Sequence, residues 1–297
     1  MSESKPKSSV PKSGLIVLAV VVIVIGGLFL LPVDNEIEQP RPEHPSLDLA
    51  QIAELKNVGI ANLENNDLAD AESAFTELVK LLPDEQFGRQ NLAITLLLKI
   101  APENLNRADD QALFDTELER AKQVVSELLQ RFPGDSQVHV LDARLELTTS
   151  EHGKAIDALR RAAGLSPNDA TIWYSIYDAG RYSRNDELIA EGNQALARVW
   201  ELAPDNLYVM REWLTVQARA KDPNVRETLS QAKNLIAPFV DRIRTFGPVD
   251  LDELLDQATV AVEKEDWNTV IRNASITGNM LRPEVATQND AKKVTPH

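Results

Sequence analysis

The stretch IAELKNVGIANLENNDLADAESAFTELVKLLP, residues 52–83, decides the fold of this chain. On both sides of the polar segment ENND, apolar residues recur at spacings of three and four, which is the pattern of an amphipathic helix. Pro83 ends the stretch, because proline lacks the backbone N–H that a helix interior needs. We therefore predict two helices joined by a tight turn. One such pair cannot bury its apolar face alone, so it must stack on further pairs.

Equivalent residues recur further along the chain. Each of five amphipathic helices is followed by a proline, and these are Pro83, Pro133, Pro167, Pro204 and Pro238. When each proline is numbered as position 32, small residues fall at positions 8 and 20, and apolar or small residues fall at positions 24 and 27. In the first and third units these positions hold Gly59, Ala71, Phe75, Leu78, and Ala143, Ala155, Leu159, Ala162.

This pattern resembles the tetratricopeptide repeat, whose period of about 34 residues matches the second and fourth of the intervals between these prolines. The resemblance covers residues 49–238 well and extends weakly to 283. It implies an all-α superhelix of helical hairpins. Counted back from Pro204, the fourth repeat begins at Trp173, and His139 takes a packing position in the third. A sixth helix pair is predicted over 251–280, with Trp267 opening its second helix. The alternative is an ordinary helical bundle with chance spacing.

The resemblance also implies where a partner binds. In this family the first helix of each pair lines a concave face that holds a peptide or a partner helix. By family position, the groove residues are Lys56, Ile60, Gln90, Ile94, Val140, Arg144, Tyr174, Asp178, Tyr208 and Arg211. We expect the cations Lys56, Arg144 and Arg211 to pair with a carboxylate of a bound segment. The alternative is that these residues form only a solvated helix face.

One subfamily of tetratricopeptide proteins grips C-terminal carboxylates with five defined side chains. In this sequence only Lys56 and Asn91 match those positions, whereas Ile60, Gln137 and Leu141 do not. That particular clamp is therefore not expected here.

The N-terminal region has the features of a membrane anchor. Residues 14–31, GLIVLAVVVIVIGGLFLL, carry no charge, and the run is close to the length of about 20 residues that spans a bilayer. We predict a transmembrane helix over 14–33, a cytoplasmic tail over 1–13 because lysines precede the helix, and a proline-rich acidic stalk over 34–48. The repeat domain, 49–283, would then lie outside the cytoplasm, in the periplasm, followed by a flexible tail over 284–297. A cleaved signal peptide is the competing interpretation.

Composition and motifs give no indication of catalysis. The formal net charge of −15 disfavours nucleic acid as a partner, and the chain has no cysteine. Its four histidines form no metal-binding motif, and no nucleotide-binding or hydrolase motif is present. We expect no metal, no cofactor and no enzymatic activity, and predict a scaffold or adaptor that binds a protein partner at the inner membrane. Alternatively, the chain is the anchoring module of a larger surface protein or enzyme whose catalytic or β-rich part lies beyond residue 297.

Overall fold

The computed structural model describes residues 48–105, 110–239 and 251–280. Within these ranges the chain forms twelve α-helices, a short 3-10 turn at Ala237–Phe239 and no strand. The helices are α1 Leu49–Glu64, α2 Leu68–Leu81, α3 Gln86–Lys99, α4 Gln111–Arg131, α5 Ser136–Thr148, α6 His152–Leu165, α7 Ala170–Tyr182, α8 Asp186–Leu202, α9 Leu207–Arg219, α10 Val225–Ile236, α11 Leu251–Glu263 and α12 Trp267–Met280. The all-α prediction is confirmed for this part of the chain.

The predicted membrane helix, 14–33, falls outside the described residues, as do the tail 1–13, nearly all of the stalk 34–48 and the tail 284–297. Among the helices that are described, none has the length and apolarity needed to cross a bilayer.

Successive helices pack as hairpins, and the hairpins stack. Helix α1 packs against α2, α3 against α4, α5 against α6 and α7 against α8, and the second helix of each pair also contacts the first helix of the next pair. Buried apolar side chains from adjoining pairs therefore share clusters, so that Leu78 of α2 and Leu96 of α3 lie in the same one. This stacking provides the burial that a single pair lacks.

Small residues set the distance between the two helices of a pair, as predicted. Ala71 and Ala155 are fully buried, and Gly59 lies directly against the ring of Phe75. A Cβ added to Gly59 would come within 2.6 Å of that ring. These positions are small because the facing helix occupies the space a side chain would need.

The start of each first helix is fixed in the same way along the stack. A side-chain oxygen caps the helix by accepting a hydrogen bond from a backbone N–H of its first turn. The capping residues are Asp48, Glu85, Asp135, Asp169 and Asn206. In the third and fourth pairs, a side chain near the start of the first helix also bonds to the carbonyl of the preceding repeat-ending proline. His139 Nε2 lies 2.9 Å from Pro133 O, and Trp173 Nε1 donates to Pro167 O at 2.9 Å. His139 is buried, which confirms its prediction as a packing residue.

The fourth pair begins one turn before the residue counted back from Pro204. Helix α7 begins at Ala170, and Trp173 is its fourth residue. Helix α1 likewise begins at Leu49, three residues before Ile52, so the first and fourth pairs share this extra turn. The close approach lies where the count places small residues, at Gly180 and Gly192.

The last pair stacks in a different order. Helices α11 and α12 form where a sixth pair was predicted, but α12 rather than α11 lies along α9, while α11 contacts α10. Leu214 of α9 and Ala274 of α12 belong to one buried cluster. Asn273 is buried and its side-chain amide donates to Leu254 O at 3.0 Å, which joins the two helices of this last pair.

The approach of α7 to α8 predicts the effect of Gly180→Ala. A Cβ at residue 180 would lie 2.4 Å from the carbonyl oxygen of Leu188 and 3.0 Å from the Cα of Gly192. Both are backbone atoms, so the helices must separate. We expect the free energy of unfolding to fall by about 2 kcal/mol or more, the range seen for overpacked cores, in urea denaturation followed by circular dichroism.

The matched control is Gly164→Ala in α6, where an added Cβ meets no atom within 4 Å. Alanine is the better helix former, so this variant should be at least as stable as the parent. Equal stability of the two variants would contradict the close contact between α7 and α8.

Candidate partner-binding face

The first helices of five successive pairs form one side of the stack, which we call the first-helix face. It consists of the exposed side chains of α1, α3, α5, α7 and α9. Neighbouring first helices are linked directly: Lys56 of α1 bonds to Glu85 at the start of α3, and Tyr174 of α7 bonds to Tyr208 of α9. Of the predicted groove residues only Val140 is buried, and the others keep part of their surface exposed.

The part of this face nearest the N-terminus is aliphatic. Ile60 of α1 and Ile94 of α3 are partly exposed and pack on the core below them. Leu97 lies one turn beyond Ile94, on the same side of α3, and is also partly exposed. Sequence reasoning missed Leu97, although its helical spacing from Ile94 was the available signal.

Lys56 is already paired. Its Nζ donates to Glu85 Oε1 at 2.8 Å and lies 4.9 Å from the centroid of the Phe87 ring. Glu85 in turn caps α3 by accepting from the backbone N–H of Gly88 at 2.9 Å. The interaction therefore joins the first two pairs, and pairing of Lys56 with a partner's carboxylate stays a prediction.

The part of the face formed by α7 and α9 is a network of tyrosines and ion pairs. Glu212 is its centre: Tyr177 OH donates to Glu212 Oε2 at 2.7 Å, and Arg181 Nη1 donates to the same oxygen at 3.2 Å. Arg211 also pairs with Glu212. Two of the three cations expected to bind a partner carboxylate, Lys56 and Arg211, thus form ion pairs within this chain.

Aromatic rings line this network. The guanidinium of Arg211 lies 4.5 Å from the centroid of the Tyr208 ring. The guanidinium of Arg181 lies 4.7 Å from the centroid of the Tyr182 ring. Such contacts hold a cation over the negative face of a ring. Arg181 also pairs with Asp178 at 2.8 Å. The sequence offered a signal for Arg181, because Asp178 lies three residues before it on the same helix.

Arg144 of α5 differs from the other two predicted cations. Within the described part of the chain, its guanidinium forms no ion pair and no hydrogen bond. The residue is exposed, yet the protein around it desolvates the charge and lowers the pKa of Arg144 below its ordinary value.

No arrangement suited to metal chemistry occurs in the described ranges, where no three His, Cys, Asp or Glu side chains come together. An open depression lies between α1 and α2 at the N-terminal end of the stack, and its lining includes Glu72, Ser73 and Glu77. Its lining includes no histidine that could activate the hydroxyl group of Ser73 as a nucleophile. Glu72 and Glu77 are held in ion pairs with Arg120 and Lys80, so this depression has no nucleophile and base in contact.

Comparison with known proteins gives no family assignment. No protein family matches the chain, and no curated protein matches it. Among solved structures, it is similar to MamA from Desulfovibrio magneticus RS-1, from residue 41 to the end, at 16% identity over 63% of this chain and 94% of that one, with a TM-score of 0.46. A MamA RS-1 double mutant gives 16% identity, 63% and 96% coverage and a TM-score of 0.48.

The pilF protein of Pseudomonas aeruginosa is similar at 14% identity over 82% of this chain and 98% of that one, with a TM-score of 0.47. Similarities this low assign neither a family nor a function.

The tyrosine network predicts a late ionisation. Burial raises the pKa of Tyr174, and its hydrogen bond with Tyr208 adds to this. Burial also raises the pKa of Tyr177, and so does its hydrogen bond to Glu212. Since the unfolded chain releases these protons first, near pH 10, folding stability should decrease as pH rises above that value.

The measurement is absorbance of ionised tyrosine against pH for the native chain and for the chain in urea. At about pH 11, where unfolded tyrosines are largely ionised, the native chain should carry fewer phenolates, and a Tyr174→Phe/Tyr177→Phe variant should remove most of the difference. Tyr182→Phe is the control, because Tyr182 is 63% exposed, and it should preserve the difference. Superimposable native and unfolded curves for the parent chain would contradict the prediction.

Proposed function

We propose that this chain is a non-enzymatic scaffold whose first-helix face binds a segment of a partner protein. The observation that carries the proposal is the row of partly exposed aliphatic side chains on that face, Ile60, Ile94 and Leu97. Tyrosine and arginine side chains that are partly or fully exposed continue it on α7 and α9. Surfaces with aliphatic, Tyr and Arg side chains at their centre are typical of protein interfaces, where Tyr and Arg contribute much of the binding energy.

The repeat architecture supports the same proposal. Stacked hairpins create an extended surface from many short helices, and arrays of this kind use such surfaces for binding. The resemblance to tetratricopeptide repeats, which is carried by the small residues between paired helices and the repeat-ending prolines, points to the first-helix side as the binding side.

We also propose that residues 14–33 anchor the array in the inner membrane, with the N-terminus inside and the first-helix face in the periplasm. Support comes from the long uncharged run over residues 14–31 and from Lys5, Lys7 and Lys12 in front of it. Proline-rich residues 34–48 would hold the array away from the bilayer.

Site-specific crosslinking tests the binding face. A photoreactive amino acid at Gln90, which is partly exposed on α3, should give an adduct with a partner protein in cells, identified by mass spectrometry. The same group at Glu119, which is exposed on the second helix α4, is the matched control and should not give that adduct. Equal adducts from both positions would contradict a dedicated face, and self-adducts alone would indicate oligomerisation.

A reporter fusion tests the anchor. Alkaline phosphatase, which is active only outside the cytoplasm, should be active when fused after Asp48. Changing Lys5, Lys7 and Lys12 to Glu removes the charges that favour the inside, and should lower reporter activity at equal expression. Activity of a cytoplasmic reporter, rather than of the phosphatase, at the same fusion site would overturn the proposed orientation.

A further inference from the structure

Arg144 lies where two chemically different parts of the first-helix face meet. It is the ninth residue of α5, and the ninth residues of the neighbouring first helices are Ile94 in α3 and Asp178 in α7. On the α3 side the face is aliphatic, and on the α7 side it is the network of tyrosines and ion pairs. Arg144 is thus the first cation that a bound segment meets after leaving the aliphatic part.

The carboxylates on the elements around Arg144 have other partners. Asp178 on α7 pairs with Arg181, and Glu212 on α9 is bonded by Tyr177, Arg181 and Arg211. On α5 itself, Asp142 pairs with Arg161 of α6. Within the described residues, none of these carboxylates pairs with Arg144.

An unpaired guanidinium in such a place favours an anion from outside. Arg144 is exposed, so a carboxylate from outside can reach its guanidinium without displacing a carboxylate of the chain. The planar fork of Arg matches the two oxygens of a carboxylate and binds them together.

We propose that Arg144 binds a carboxylate of the partner segment, and that aliphatic side chains adjacent to this carboxylate contact Ile94 and Ile60. The inference rests on the proposed function and names the chemistry of its ligand: a segment with an acidic residue next to a short aliphatic run. The aliphatic residues are expected because Ile94 occupies the same position in α3 that Arg144 occupies in α5. A segment whose carboxylate binds Arg144 therefore brings its neighbouring side chains to Ile94.

The carboxylate site proposed here differs from the clamp of the C-terminal-binding subfamily. Of the two matching residues, Lys56 is paired with Glu85, and Asn91 is buried with its amide donating to Phe87 O at 2.8 Å. Both residues therefore have partners within the chain, and we place the carboxylate site on the third first helix rather than on the first two.

The test is selection of random peptides displayed on phage against the purified full chain, followed by affinity measurement with synthetic copies of the selected peptides. The parent chain should select peptides with Asp or Glu beside Leu, Ile or Val. Arg144→Gln should weaken their affinity about tenfold or more, as expected for loss of a charge-assisted hydrogen bond, and should abolish the preference for the acid. Arg144→Glu should select Lys or Arg at that position instead.

Arg160→Gln is the matched control, since Arg160 is exposed on the second helix α6 and pairs with Asp157 and Glu191 rather than with a carboxylate of α5; it should leave selection unchanged. If Arg144→Gln binds the same acidic peptides as tightly as the parent, the proposed carboxylate site is wrong. In that case the peptides still serve to test the face: their crosslinking to Gln90 would preserve the proposed function, and their failure to crosslink there would overturn it as well. A parent chain that selects no peptide overturns both.

Discussion

The close approach of the two helices within each hairpin is the contact on which the rest of the structure depends. Where Gly59 meets Phe75, or Gly180 meets Gly192, there is no room for a side chain between the helices. Because each hairpin is narrow, its remaining apolar residues point outward toward the next hairpin, and stacking becomes the only way to bury them. Stacking in turn places the first helices side by side, so the first-helix face is a geometric consequence of small residues buried elsewhere.

The hairpins could be predicted from the sequence because their causes are local. Apolar spacing, small residues and terminal prolines act within about 34 residues, and they predicted the helix pairs correctly. Counting from Pro204 placed the close contact at Gly180 and Gly192 correctly, but it did not show that α7 begins one turn earlier, at Ala170. The helix start had its own signal, because Asp169 and Trp173 repeat the spacing of Asp135 and His139, a cap and the side chain that bonds to the proline carbonyl.

The pairing of side chains on the candidate site could not be predicted in the same way. Lys56 and Glu85 are 29 residues apart, and Tyr177 and Glu212 are 35 apart, so each pair exists only once neighbouring hairpins have docked.

The reversed order of the last pair has a similar origin. Leu214 stands where α5 has Ala143, and this larger side chain is buried together with Ala274 of α12 rather than against α10 alone. This contact, too, joins residues that are far apart in the chain.

The distribution of charge bears on which partners suit the first-helix face. The chain carries a net charge of −15, yet charges separated by more than about 8–10 Å are largely screened at cellular salt concentrations. A bound segment therefore responds mainly to the groups it touches. There, Arg181, Arg211 and Lys56 are already paired with carboxylates of the chain, and Arg144 is left as a local positive site beside aliphatic side chains. A strongly acidic protein would be repelled by the rest of the surface as it approached. The arrangement instead favours a largely apolar segment with few acidic residues, for which one carboxylate at the correct position is enough.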